Sequence, residues 1–176
     1  MTTKIITNII LIISLGVAQI ALISGLPGLA GNLNLALVVL IFILGFSGFN
    51  FAAIWTIGVG FLLEVFSFLP FGTYLISLSL TIIIANFLLT YSFTNRSLYS
   101  FLALTCLATV IYELIINFFV LIFVETNSIA LIMAGGFWLS LLEQVGLNLL
   151  FTFIIYYIIY FLGRNLNPAF LVHPVK

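Results

Sequence analysis

The sequence predicts an all-α protein, a polytopic membrane helical bundle of about six transmembrane helices in a single domain over residues 1–176. Three observations predict it. Of the 176 residues, 65% are hydrophobic and only 5% are charged, and no soluble domain covers its surface with so few charges. The apolar runs exceed the ~18 residues that mark a membrane span. They are continuous, without the period-two alternation of barrel strands, so helices are left to satisfy the backbone internally in lipid.

The same composition excludes several functions. The four Lys and Arg residues are scattered singly, which argues against nucleic acid as a partner. Cys106 is the one cysteine, so no internal disulfide forms. Cys106 and His173 together are too few ligands for a metal site. No phosphate-binding glycine loop, Walker motif or nucleophile-base constellation is present, so no catalytic residue and no cofactor are expected.

Taken in order, the first span covers residues 5–26 after a short entry containing Lys4. Its apolar core is longer than the ~7–15 residues of a signal-peptide core, so it reads as a retained helix. Ser14, Ala18, Ala21 and Gly25 recur at helical spacing as a small-residue stripe. The stripe suits close approach of a neighbouring span or docking of another protein. Pro27-Gly28 and Gly31-Asn32 make a turn. The second span, 33–46, has no polar side chain past Asn34, which fits either a place deep in the bundle or a face turned to lipid.

The third span, 50–69, carries Ala52, Thr56, Gly60 and Glu64 on one face, a groove with a carboxylate at its end. Trp55 is expected at an interface. Glu64 is either ionised near the surface or protonated and bonded to a neighbouring helix. Pro70-Phe-Gly72 ends the run in a tight turn that sets the pairing with the fourth span, 73–92. The fifth span, 98–124, has a polar stripe of Thr105, Thr109, Glu113 and Asn117, which must face protein or water.

Residues 129–163 are too long for one perpendicular span. Ile129 to Ala134 reads as an interfacial or re-entrant segment, broken by Gly135, Gly136 and Trp138 from a sixth span at 139–162. That span bears the most polar face, with Ser140, Gln144, Asn148 and Thr152, and Glu143 beside them. Tyr156, Tyr157 and Tyr160 read as an aromatic belt. Six spans put Lys4, Arg96, Arg164 and Lys176 on one side, which the positive-inside rule makes cytoplasmic, with both termini. Glu64, Glu113 and Glu143 have no intramembrane cation to pair with. They are candidates for helix register, for contact with a partner's helix, or for an ion pathway.

The string Gly60-Phe-Leu-Leu-Glu64-Val-Phe-Ser-Phe-Leu-Pro70-Phe-Gly72 resembles the signature of MreD-type rod-shape-determining membrane proteins, in which an acidic residue near a span's end is followed by Pro-apolar-Gly. Leu75 to Leu89, the Asn95-Arg96 loop and Tyr112-Glu113-Leu114 extend the similarity, which covers roughly residues 33–117. The Glu143–Asn148 cluster has no counterpart in it. The resemblance implies a non-enzymatic scaffold of the bacterial cell-elongation and peptidoglycan-synthesis machinery, in the cytoplasmic (inner) membrane. Its implied partner is an MreC-like coiled-coil protein and, through it, the wall-synthesis enzymes. Glu64, Pro70, Gly72 and Glu113 are the positions carried over. Asn117, Glu143, Gln144 and Asn148 join them as structural or interface candidates from their own spacing. The alternative is a substrate-binding subunit of an energy-coupling-factor vitamin transporter, similar in size and architecture, with Ser14, Ala18, Ala21 and Gly25 docking the coupling subunit. A closed, outward-facing cavity with aromatic and polar walls would mark it.

Overall fold

The computed structural model describes residues 2–23, 25–26, 28–93, 97–123 and 136–165. Among these the chain is all-helical, without a strand. Helix α1 (Thr2–Val17) continues into a π-helical turn (Ala18–Ile23), and a 3-10 turn follows (Gly28–Asn32). Then come α2 (Leu35–Ser47), α3 (Phe49–Val65), α4 (Thr73–Tyr91), α5 (Leu98–Phe123) and α6 (Gly136–Asn165). Among the described residues α4, α5 and most of α6 are long and apolar enough to cross a membrane, whereas α1, α2 and α3 are shorter apolar helices.

Helix α2 is the centre. A helix apolar all round has no face to turn to water and is buried by its neighbours. Ala36, Leu37, Val38, Leu40 and Ile41 are wholly enclosed, and α2 packs against α3, α4, α5 and α6. The two places left open by the sequence are thereby decided for the interior. Close packing of aromatic rings secures the lower half of α2. The Phe101 ring of α5 stacks on Phe42 at 4.8 Å between centroids. Gly45 makes room for it, since a Cβ there would lie 2.6 Å from the ring.

Helices α3 and α4 form the most extensive pair. The groove of Ala52, Thr56, Gly60 and Glu64 is buried along its length, and α4 fills it. A Cβ on Gly60 would stand 3.2 Å from the Leu75 Cα. Helix α1 lies outside α3 and meets it through two glycines, one from each helix. Gly16 faces Leu62 and Gly58 faces Ile12, at 2.8 and 2.7 Å from the Cβ each lacks. The Ser14, Ala18, Ala21 and Gly25 stripe is not that contact face, because Ser14, Ala21 and Gly25 are exposed.

Several boundaries differ from the sequence reading. Helix α3 stops at Val65 rather than at residue 69, because the Ser67 hydroxyl takes the Leu69 N–H at 2.9 Å and opens a turn. The first α-helix ends at Val17 and passes into the π turn. The last helix begins at Gly136 rather than at residue 139, with Gly136 and Trp138 in its first turn, where a glycine N–H needs no intrahelical partner. The Ile129–Ala134 segment lies outside the described residues. Trp55 is buried at 7% exposure, not at an interface, because its helix face is turned to the core.

Candidate functional site: a polar cleft above the central helix

Helix α2 is short. Its 13 residues make about 20 Å, against ~30 Å for a bilayer core. Its neighbours run on past its N-terminus, and the space left there is a cleft of ≈ 280 Å³. The floor is the start of α2 itself. The first N–H groups of a helix have no intrahelical acceptor, and burying them unpaired is costly. Three side chains from three segments meet that need. Asn148 Oδ1 accepts from Asn34 N–H at 2.9 Å. Gln19 Oε1 accepts from Ala36 N–H at 3.1 Å, and Asn34 Oδ1 accepts from Leu37 N–H at 3.0 Å. The capping set ties α1, α2 and α6 together at one level.

Below the floor, the polar stripes of α5 and α6 close on each other. Asn148 Nδ2 donates to Thr109 Oγ1 at 2.9 Å, and Thr152 Oγ1 donates to Thr105 Oγ1 at 3.1 Å. All four side chains are buried, so the stripes are internal seams at this depth. One to two turns higher they separate and line the cleft. Glu113 and Ile116 come from α5, Ser140 and Gln144 from α6. Glu113 receives a hydrogen bond from Asn117 Nδ2 at 3.3 Å and another from Gln144. Glu143 accepts from Asn32 Nδ2 at 2.8 Å, which holds the 3-10 turn onto α6.

The remaining wall comes from the α3–α4 junction, with Phe66, Ser67 and Tyr74, and from Tyr112. Here Glu64 acts as a clamp. Its Oε2 accepts from the N–H groups of Tyr74 and Leu75 at 2.9 and 3.1 Å. The acid near the end of α3 thus caps the start of α4, where orphan N–H groups and the positive end of the helix dipole favour a carboxylate. Gly72 makes the return possible with φ +102°, a backbone state that disfavours a side chain. Pro70 contributes its carbonyl, which accepts from both the Thr73 hydroxyl at 2.7 Å and the Thr73 N–H at 3.2 Å. The other Glu64 oxygen, Oε1, is buried without a hydrogen-bond partner.

The structure therefore gathers the candidates into two groups. Glu113 and Gln144 line the cleft, Asn117 supports Glu113 from one turn along α5 without lining it, and Glu143 and Asn148 pin the rim and floor. Glu64, Pro70 and Gly72 form the clamp beside it. Gln19, Asn32, Ser67 and Tyr74 also build the site and were not singled out from the sequence. Their one sequence signal is position, at helix ends, where side chains serve as caps and turn residues. Among the described residues no group of three or more His, Cys, Asp or Glu side chains is placed to hold a metal. Comparison with protein-family models, with curated proteins and with solved structures returns no match.

Proposed function

We propose that this chain is a multi-pass protein of the bacterial cytoplasmic membrane, with both termini on the cytoplasmic side. We read it as a non-enzymatic scaffold subunit of the cell-elongation machinery, akin to the MreD type. The observation that carries the reading is the clamp. Glu64, Pro70 and Gly72, the residues on which the resemblance rests most specifically, act together as one device that folds α4 back onto α3. Such a device gives an acid and a Pro-apolar-Gly turn at that spacing a structural role that requires no catalysis. The carboxylates also fit a static role. Each of Glu64, Glu113 and Glu143 accepts hydrogen bonds from the chain's own amides, an arrangement that fixes helices rather than passing ions. Lys4 begins α1 and Arg164 ends α6, so the positive-inside rule turns the cleft to the outer face. There it is accessible to an MreC-like coiled-coil protein.

The cleft favours a second reading, the substrate-binding subunit of an energy-coupling-factor transporter, since Tyr74, Tyr112 and Phe66 stand in its wall among polar groups. Its size weighs against that reading. At ≈ 280 Å³ it falls just below the ~300–1,000 Å³ of pockets that enclose drug-sized ligands. The test is a mild-detergent pull-down of the tagged chain from its native membrane, followed by mass spectrometry. A periplasmic coiled-coil protein with wall-synthesis enzymes is the expected outcome. A pair of ATPases with a transmembrane coupling subunit would replace the scaffold by the transporter.

A further inference from the structure

Every acidic residue described by the structure sits at the same end of the bundle. Glu113 lines the cleft, Glu143 holds the Asn32 rim, and Glu64 lies between Leu63 and Phe66, which are themselves in the wall. All the donors found on these carboxylates are neutral amides and backbone N–H groups. The described basic positions are remote. Lys4 precedes the cleft residue Gln19 by 15 positions on one helical path and Arg164 follows Gln144 by 20, which places them about 22 and 30 Å away along their helices.

The helix dipoles do not substitute for a cation. The N-termini of α2, α4 and α6 and the C-termini of α1, α3 and α5 meet at this end, and their charges of about half a unit cancel pairwise. Among the described residues no cationic side chain opposes Glu113 and Glu143, while Glu64 alone is met by the N–H groups that start α4. Glu64 Oε1, beside the wall formed by Leu63 and Phe66, is likewise buried without a hydrogen-bond donor. A partly enclosed carboxylate gains most from a cationic hydrogen-bond donor.

We propose that the cleft is a socket for one basic side chain, an arginine or lysine, presented by the outer segment of a partner protein and bound against Glu113. The partner as source rests on the scaffold reading; the cleft's chemistry does not. The dimensions favour a side chain over a free metabolite. The cleft has room for about nine waters, at ~30 Å³ each, and opens outward beside Ser140, which is exposed. A guanidinium fits best, because its planar fork matches the Glu113 carboxylate together with neighbouring amide oxygens.

The experiment uses the full chain in detergent micelles, with thermal unfolding followed as ligand is added. The probes are L-arginine amide and L-citrulline amide, which share shape and differ in charge. Arginine amide is expected to raise the unfolding midpoint saturably and citrulline amide to leave it unmoved. Glu113→Gln removes the charge at nearly constant size, keeps the Asn117 bond to the main-chain carbonyl of residue 113, and is expected to weaken the arginine amide response about tenfold or more, as befits loss of a charge-assisted hydrogen bond. Ser140→Lys offers an independent check on the rim of the cleft. The tethered ammonium is expected to raise the midpoint without ligand and to abolish the response to arginine amide. Equal shifts from both amides, no shift from either, or an undiminished arginine response in both variants would overturn the socket. Equal recovery of the coiled-coil partner by wild type and Glu113→Gln would overturn the partner side chain as occupant while leaving the scaffold reading intact. Absence of that partner alongside a specific arginine response would overturn the scaffold reading and its side chain as source.

Discussion

Replacing Glu64 by alanine removes the acceptor that caps α4. Two N–H groups, of Tyr74 and Leu75, then lose their partner at a site where Glu64 is 4% exposed and water is scarce. Each buried donor left unsatisfied costs about 1–3 kcal/mol, so the pair costs about 2–6 kcal/mol. Loss of the favourable carboxylate at the helix N-terminus adds up to ~1 kcal/mol. Glu64→Gln keeps a carbonyl oxygen of the same reach and is expected to lose only about 1 kcal/mol. The measurement is equilibrium unfolding in mixed micelles, with the three proteins compared at one detergent ratio. The ordering wild type, Glu64→Gln, Glu64→Ala is the expected result. If Glu64→Ala unfolds at the wild-type midpoint, the clamp is not a stabilising contact and its use as the carrier of the functional reading collapses.

Other substitutions probe the same architecture. Asn148→Ala strands the Asn34 N–H and takes one donor from the Thr109 hydroxyl, which keeps its bond to the Thr105 carbonyl; the expected cost is about 1–3 kcal/mol, read as a lowered unfolding midpoint, and an unchanged midpoint would remove Asn148 from the floor. Gly72→Ala forces a side chain into φ +102° and should cost about 1–2 kcal/mol. Gly60→Val pushes two methyls against the Leu75 backbone, so α3 and α4 must part at a cost of about 1–3 kcal/mol; disulfide trapping between engineered cysteines on the two helices should slow accordingly. Pro70→Ala is expected to be mild, about 1 kcal/mol, because the Pro70 carbonyl that Thr73 uses survives the change. Loss of folded protein on Pro70→Ala would show that the ring itself, rather than its carbonyl, holds the turn.

The turn within the clamp was legible because it is local, whereas the capping of α4 by Glu64 was not, since the sequence left that carboxylate either at the surface or bonded to a neighbouring helix. An acid, a short apolar stretch and Pro-Phe-Gly announce a helix end, a turn and a restart within a dozen residues. The stripes on α5 and α6 were legible as stripes, since a repeat of four shows in any helix. Their pairing was not, because nothing local says that Asn148 meets Thr109 rather than lipid headgroups or a ligand. Helix α2 illustrates a different limit. An all-apolar helix has no preferred face, so its burial at the centre follows only from what its neighbours do. The face by which α1 packs on α3 did not follow from spacing. The more regular stripe was Ser14, Ala18, Ala21 and Gly25, yet Gly16 makes the close approach because Leu62 on α3 fills the space it leaves. Asn32 and Glu143 are joined across 111 positions, and the cleft between them is a product of unequal helix lengths, visible only once the helices stand side by side.

The enclosure of α2 has a bearing on how the chain comes into being. Its first N–H group is held by Asn148, 114 residues downstream. At a synthesis rate of ~5–20 residues per second, some 6–23 seconds pass between the two residues leaving the ribosome. For that interval the most apolar of the described helices lacks the complete set of four later helices that enclose it, α6 last of all, and its polar end is uncovered. An insertion chaperone that shelters unassembled spans is the natural keeper of such an intermediate. Nascent chains stalled before α6 should stay bound to it, and those stalled after α6 should be released.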